Sequence, residues 1–259
     1  MLTIEFSNFM LFLLVFARIS SALLFHPFFG RRNVPAIAKI GLALLTAVLL
    51  TPVLRVPQPV FTTTISLLLA FLKEMMVGYT MGLLMHLFMT WVLMTGEVVD
   101  MELGLSMGRA FDPQSNMSMS ASGMVFNLMI TLIFFTSNGH LTLIRILASS
   151  CQLFPPGTAF FNHQAGSYLA LMLGDMLLLM LKLAMPVLAI ELLTEAGMGV
   201  LMRIVPQVNV FVAGLQVKIV VGLAITILAL PAASKLMDTT LTHMYTKIQD
   251  TTAILLSGS

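Results

Sequence analysis

Six apolar runs, each on the order of 20 residues and so long enough to span a bilayer, fill most of this chain, and one polar insert interrupts them. The runs lie near residues 8–29, 36–54, 65–95, 121–148, 167–193 and 208–231. The insert, Gly96 to Gly123, reads GEVVDMELGLSMGRAFDPQSNMSMSASG. It gathers Glu97, Asp100, Glu102, Arg109 and Asp112 in a chain where only 9% of residues are charged. A polar, Gly/Ser-rich backbone of this kind is too costly to face lipid. It lines a cavity, plugs one, or sits in water.

Composition narrows the class. The chain has 259 residues, 58% of them hydrophobic, and a mean hydropathy of +0.99. A soluble domain is about 45–50% apolar and about 25% charged, so this chain is an integral membrane protein or part of a membrane assembly. A net charge of +2 offers nothing to a nucleic acid. Cys151 stands alone, which excludes an intramolecular disulfide, and His26, His86, His140, His163 and His243 are scattered without metal-ligand spacing. No metal or cofactor is expected. No cleavable signal peptide is expected, because the first run is too long and no small-residue cleavage site with a soluble chain follows it.

Turn and charge signals separate the runs. They are Pro27 with Gly30-Arg31-Arg32-Asn33, then Pro52, Pro57 and Pro59, the insert, Pro155-Pro156-Gly157, and Glu195 to Pro206. From Ser234 the apolar residues Leu236, Met237, Leu241, Met244, Tyr245 and Ile248 recur at roughly helical spacing, which predicts an amphipathic helix. No segment carries a strand signal.

Charges sit inside the runs: Arg18 in the first, Lys73 and Glu74 in the third, Asp175 and Lys182 in the fifth, Lys218 in the sixth. A charge at mid-span costs about 2.5–3.5 kcal/mol on insertion scales. Lys73 and Lys218 either snorkel to an interface or pair, whereas Arg18 and Asp175 are expected to be buried against partner subunits. Asp175 and Lys182 share a helix face but stand about 10 Å apart, too far for a direct bond. Lys and Arg counted on alternate sides of the runs come to roughly five against four, which decides no orientation. Such a tie suits helices that are not all ordinary bilayer spans.

Gly78-x-x-x-Gly82 and Gly104-x-x-x-Gly108 space small residues for close helix approach. Gly104-Leu105-Ser106-Met107-Gly108 also matches the serine-nucleophile pattern, but that motif needs a preceding strand, a base and an oxyanion hole. A packing turn is expected instead of a hydrolase. Glu191 and Glu195, four apart, could relay protons, but the glycines that follow favour a solvated helix end. The 22 methionines are unbranched and adaptable. Those near the insert suit either core filling or a ring that seals an aperture.

Taken together, the ordered motifs resemble FliR, a flagellar type III export-gate family with virulence-secretion counterparts. The matching stretches are Pro27-Phe28-Phe29-Gly30-Arg31-Arg32-Asn33-Val34-Pro35, Gly96-Glu97, and Gly104-Leu105-Ser106 running to Phe111-Asp112-Pro113. Asn138-Gly139-His140, Pro155-Pro156-Gly157 and Arg203-Ile204-Val205-Pro206-Gln207-Val208-Asn209-Val210-Phe211 follow, and the set covers nearly the whole chain. The FDP and PQVN stretches look flagellar rather than virulence-type.

The resemblance implies an all-α membrane protein of helical hairpins, FliP-like over residues 1–165 and FliQ-like over 166–259, built as one unit into a helical ring. One copy would assemble with several FliP-like and FliQ-like subunits, alongside export proteins such as an FlhB-like one. The ring would sit in the bacterial inner membrane within the flagellar basal body, partly above the bilayer plane, and pass unfolded polypeptides. The implied plug is residues 104–122, with Arg109, Phe111, Asp112, Pro113, Met117 and Met119 lining the pore. Gly78, Gly82, Gly104 and Gly108 would pack, and Arg18, Glu97, Asp175, Lys182 and Lys218 would be buried at subunit interfaces. No enzymatic role is expected, and energy for export would come from other components, since no nucleotide-binding loop is present. The rival reading is a stand-alone secondary transporter using Glu191, Glu195, Asp175 and Lys182, but the internal repeat common in such folds is not evident.

Overall fold

A computed structural model describes residues 6–31, 33–54, 56–57, 59, 61, 63–107, 120–158, 165–204 and 210–256. Among them there is no strand, and seven helices account for the architecture. These are α1 (Phe6–Phe25), α2 (Ala36–Leu50), α3 (Thr64–Glu102), α4 (Ala121–Thr136), α5 (Gly139–Leu153), α6 (Ala165–Ile204) and α7 (Val210–Leu256). The protein is an all-α membrane protein. Four helices are long and apolar enough to cross a membrane, and α4 with α5 makes a fifth candidate bent by 66°.

Three helices outrun a bilayer. α3, α6 and α7 have 39, 40 and 47 residues, which at the helical rise is about 58, 60 and 70 Å. The hydrocarbon core is only about 30 Å thick. Each is longer than a single crossing requires.

Several boundaries differ from the sequence expectation. The fourth run is two helices, because Asn138 adopts a left-handed conformation (φ 58°) ahead of Gly139 and breaks the helix. Asn is among the few residues that tolerate that region. The fifth run continues through Pro186 and past Glu195 to Ile204. The sixth continues through Pro231, so the tail is the last part of α7 rather than a separate helix. Its apolar stripe is nevertheless present, with Met237, Leu241, Met244 and Ile248 all buried. Proline removes one backbone bond, and long apolar helices absorb that loss locally.

The residues cluster into two compact units. One comprises Met1–Phe88, Asn138–Met172 and Leu241–Ser259; the other comprises Met89–Ser137 and Leu173–Thr240. In the first, α1 and α2 pack together, and Leu14, Val15, Ile19, Val77, Met81, Leu84, Ile146 and Leu147 form the core. Gly78 and Gly82 are where α3 meets α1. A Cβ on Gly78 would lie 2.0 Å from the Arg18 carbonyl oxygen, and one on Gly82 would lie 2.6 Å from that of Ala22. Only glycine permits that approach. In the second unit, Val92, Val99, Leu103, Phe126, Ile130 and Phe134 are buried on α3, its end and α4.

Candidate functional site: the anchored ends of the polar insert

The first turn of α4 exposes backbone N–H groups that have no helical acceptor. Here side chains accept from four in a row. Glu97 Oε1 accepts from the Ser120 N–H at 2.9 Å. Asp100 accepts from Ala121 at 2.7 Å and from Ser122 at 3.2 Å, one carboxylate oxygen each. The N-cap Ser120 Oγ accepts from Gly123 at 3.0 Å. The two carboxylates also lie at the positive end of the α4 dipole. Asp100 is fully buried, so these bonds exchange little with water.

Close backbone contact completes the junction. A Cβ on Gly96 would lie 2.2 Å from Gly123 Cα, so the last turns of α3 and the first turn of α4 touch without side chains between them. Both ends of the insert are therefore held at one place. Past Glu102 the chain leaves α3 through Gly104, whose φ of +74° suits glycine. Leu215 of α7 packs against that residue. The element before Ser106 is the helix α3, not the strand that the serine-nucleophile motif requires.

In the same unit, Glu191 of α6 is completely buried, and neither carboxylate oxygen has a hydrogen-bond partner among the described residues. It faces Gly222 of α7, where an added Cβ would approach Glu191 Oε1 to 2.5 Å and Leu103 Cδ2 to 1.6 Å. The expected solvated helix end is thus corrected for Glu191, because α6 runs on well beyond it. Glu195, one turn later, is half exposed and pairs with Lys218 of α7.

Arg18 is buried within the first unit of its own chain, so no partner subunit is needed to shield it. Its Nε donates to Glu74 Oε2 at 2.5 Å. Its terminal nitrogens donate to the carbonyls of Ser150 at 2.8 Å and Phe154 at 3.1 Å. The Ser150 carbonyl also accepts the Phe154 N–H at 3.0 Å, and both carbonyls lie at the end of α5, where a cation suits the dipole. Glu74 Oε1 in turn accepts the Gly157 N–H at 2.9 Å. Asp175 and Lys182 lie exposed on α6. Gly108, Arg109, Phe111, Asp112, Pro113, Met117 and Met119 lie outside the described residues.

Sequence reasoning did not assign Asp100 or Glu74 a role. For Asp100 a signal existed: acidic residues at 97 and 100 share a helix face, and the next helix opens on Ser120 with unpaired donors. For Glu74 none existed, since its partners lie 56 and 83 positions away.

The model of the family described as bacterial export proteins, family 1, matches residues 9–244. Flagellar biosynthetic protein FliR of Bacillus subtilis (strain 168) is 32% identical over 222 residues, covering 85% of each chain. FliR of Pectobacterium carotovorum is 29% identical over 246 residues, 93% of this chain and 91% of that one. FliR of Escherichia coli (strain K12) is 29% identical over 246 residues, 94% and 90% of the two chains. With matches that span the helices, the insert and both of its anchored ends, the chain belongs to bacterial export protein family 1, the family of the flagellar FliR proteins.

Proposed function

We propose that this chain is a non-enzymatic subunit of the flagellar type III protein export gate. With FliP-like and FliQ-like membrane subunits it would form the pore for unfolded flagellar proteins, and residues 104–122 would plug the lumen. The observation that carries this reading is the clamp: Glu97 and Asp100 fix the start of α4 against the end of α3. A segment whose two ends meet at one place must return on itself. Polar, Gly/Ser-rich sequence survives at membrane depth only where protein covers it or it lines a cavity.

The remainder of the proposal follows from the same physics. Asp175 and Lys182 lie exposed on α6 beside exposed Leu171, Leu178 and Leu181. That mixture favours a protein neighbour over lipid. The length of α3, α6 and α7 supports an assembly that stands partly above the bilayer. Within it, residues 1–165 would act as the FliP-like part and 166–259 as the FliQ-like part, in the inner membrane at the basal body. Phe111, Met117 and Met119 would close the lumen as adaptable apolar groups, with Arg109, Asp112 and Pro113 beside them. Energy for export would come from other components.

Deleting Phe111–Met119 in the assembled complex tests the plug. Ion conductance through the closed channel should rise, and unchanged conductance would refute it. The buried carboxylate of Glu191 is the one observation that favours a secondary transporter. Native mass after co-expression with the operon's neighbouring genes separates the two: a large hetero-complex supports the gate, a stable monomer or small homo-oligomer the transporter.

A further inference from the structure

The turn that ends α1 borders a half-open cavity of about 190 Å³. Leu24, Phe25 and Leu83 supply its apolar side, and His26, Arg31 and His86 its polar rim. Among the described residues, no acidic side chain lines it. We propose that this cavity binds the phosphate headgroup of an anionic phospholipid, with the acyl chains lying along Leu24 and Phe25. The proposal does not rest on the export-gate reading.

Position selects the ligand class first. The cavity begins immediately beyond Phe25, the last residue of the candidate span Asn8–Phe25, and a bilayer crossed by that span would place its headgroups there. Leu24 and Phe25 are 54% and 46% exposed, so an apolar chain has a surface to follow. Size agrees, since pockets for whole drug-sized molecules begin at roughly 300 Å³ and this one suits a headgroup fragment.

Charge and donors select an anion. Arg31 Nε donates to the Pro27 carbonyl at 3.1 Å, and the guanidinium lies 5.4 Å from the Phe28 ring centroid. Both contacts fix the plane of a fork suited to phosphate oxygens. Lys39 Nζ donates to the Gly30 carbonyl at 2.9 Å, bringing a second cation beside the same turn. The Phe28 N–H donates to His26 Nδ1 at 3.2 Å, so in the neutral ring the proton is on Nε2, which is then a donor. The turn itself is built around Gly30, where a Cβ would lie 2.3 Å from the Leu24 carbonyl oxygen.

The test uses the full chain, purified in mild detergent and incubated with phosphatidylglycerol or phosphatidylcholine of identical acyl chains. Native mass spectrometry counts the retained lipid. The anionic lipid should be retained roughly fivefold better, as one cation at a headgroup predicts. Arg31→Gln should bring the two lipids to parity. Arg31→Lys and His86→Gln should reduce the preference, and Arg145→Gln, exposed on α5, should leave it intact. Equal retention by the native protein, or a preference that survives Arg31→Gln, overturns the proposal. Displacement of phosphatidylglycerol by millimolar inorganic phosphate would reveal a site for a soluble anion and overturn the lipid assignment.

Discussion

The carboxylate of Asp100 reaches across 21 positions of sequence to accept the backbone N–H of Ala121 at 2.7 Å, from a site closed to solvent. With Ser122 bound by the other oxygen, one acidic residue joins two helices at the base of the insert. Asp100→Ala would leave two N–H groups without an acceptor, at about 1–3 kcal/mol for each that stays buried. The variant should lose about 2–6 kcal/mol by that measure, read by denaturant unfolding in detergent, and in the assembled complex it should raise ion leak. Asp100→Asn keeps one acceptor oxygen and should lose about half as much. Equal stability of Asp100→Ala and the native protein would remove the clamp from the argument.

Arg18 and Glu74 should show strong coupling. Breaking a buried pair from one side strands the other charge and costs about 3–5 kcal/mol, whereas replacing both partners with apolar residues is often near neutral. Arg18→Met alone should therefore unfold far more readily than the Arg18→Met/Glu74→Leu double variant. Because Arg18 also donates to the Ser150 and Phe154 carbonyls, of which Ser150 keeps the Phe154 N–H as a second donor, the double variant should recover most of the loss but not all. Additive losses in a double-mutant cycle would contradict the pairing.

Two helical glycines should respond oppositely to alanine. At Gly78 the new methyl would meet backbone at 2.0 Å, so α1 and α3 must separate, and overpacking of this kind costs about 1–3 kcal/mol or more. At Gly41 nothing lies within 4 Å, and alanine should stabilise α2 by about 0.5–1 kcal/mol. Thermal melts of the two variants provide the comparison, and a harmless Gly78→Ala would rule out the close approach.

His26 supplies a pH dependence. It sits just past the end of α1, and burial, with a smaller contribution from His86, pushes its pKa down from 6.5 to about 3. The folded protein therefore keeps the ring neutral where the unfolded chain would protonate it. Stability from this group is intact above about pH 6.5 and falls as pH drops towards 3, by about 2 kcal/mol at pH 5. His26→Gln should flatten the decline between pH 7 and 5 in unfolding experiments. An unchanged slope would mean that another group titrates.

Much of the fold was legible in the residues. Runs of apolar side chains announce spans because hydropathy is summed locally, and the turn signals at Pro27, Pro52 and Pro155 lie between described helices as expected. Where local signals were overridden, the reason is specific. Pro186 and Pro231 sit inside long helices whose other bonds carry the chain through. Conversely, Asn138 broke a run by adopting the left-handed backbone that few other residues accept.

The candidate site divides in the same way. That Gly96 to Gly123 is too polar for lipid follows from composition and the cost of unsatisfied backbone in hydrocarbon. Membrane class, helical content and family likewise followed from residue order alone. Tertiary structure decided which partner each costly group has. Arg18 found Glu74, Asp100 found α4, Glu195 found Lys218, and Glu191 was left buried against Gly222. Helix formation and hydropathy depend on neighbours within a few turns, whereas these pairings depend on which helices lie side by side, and no local pattern encodes that.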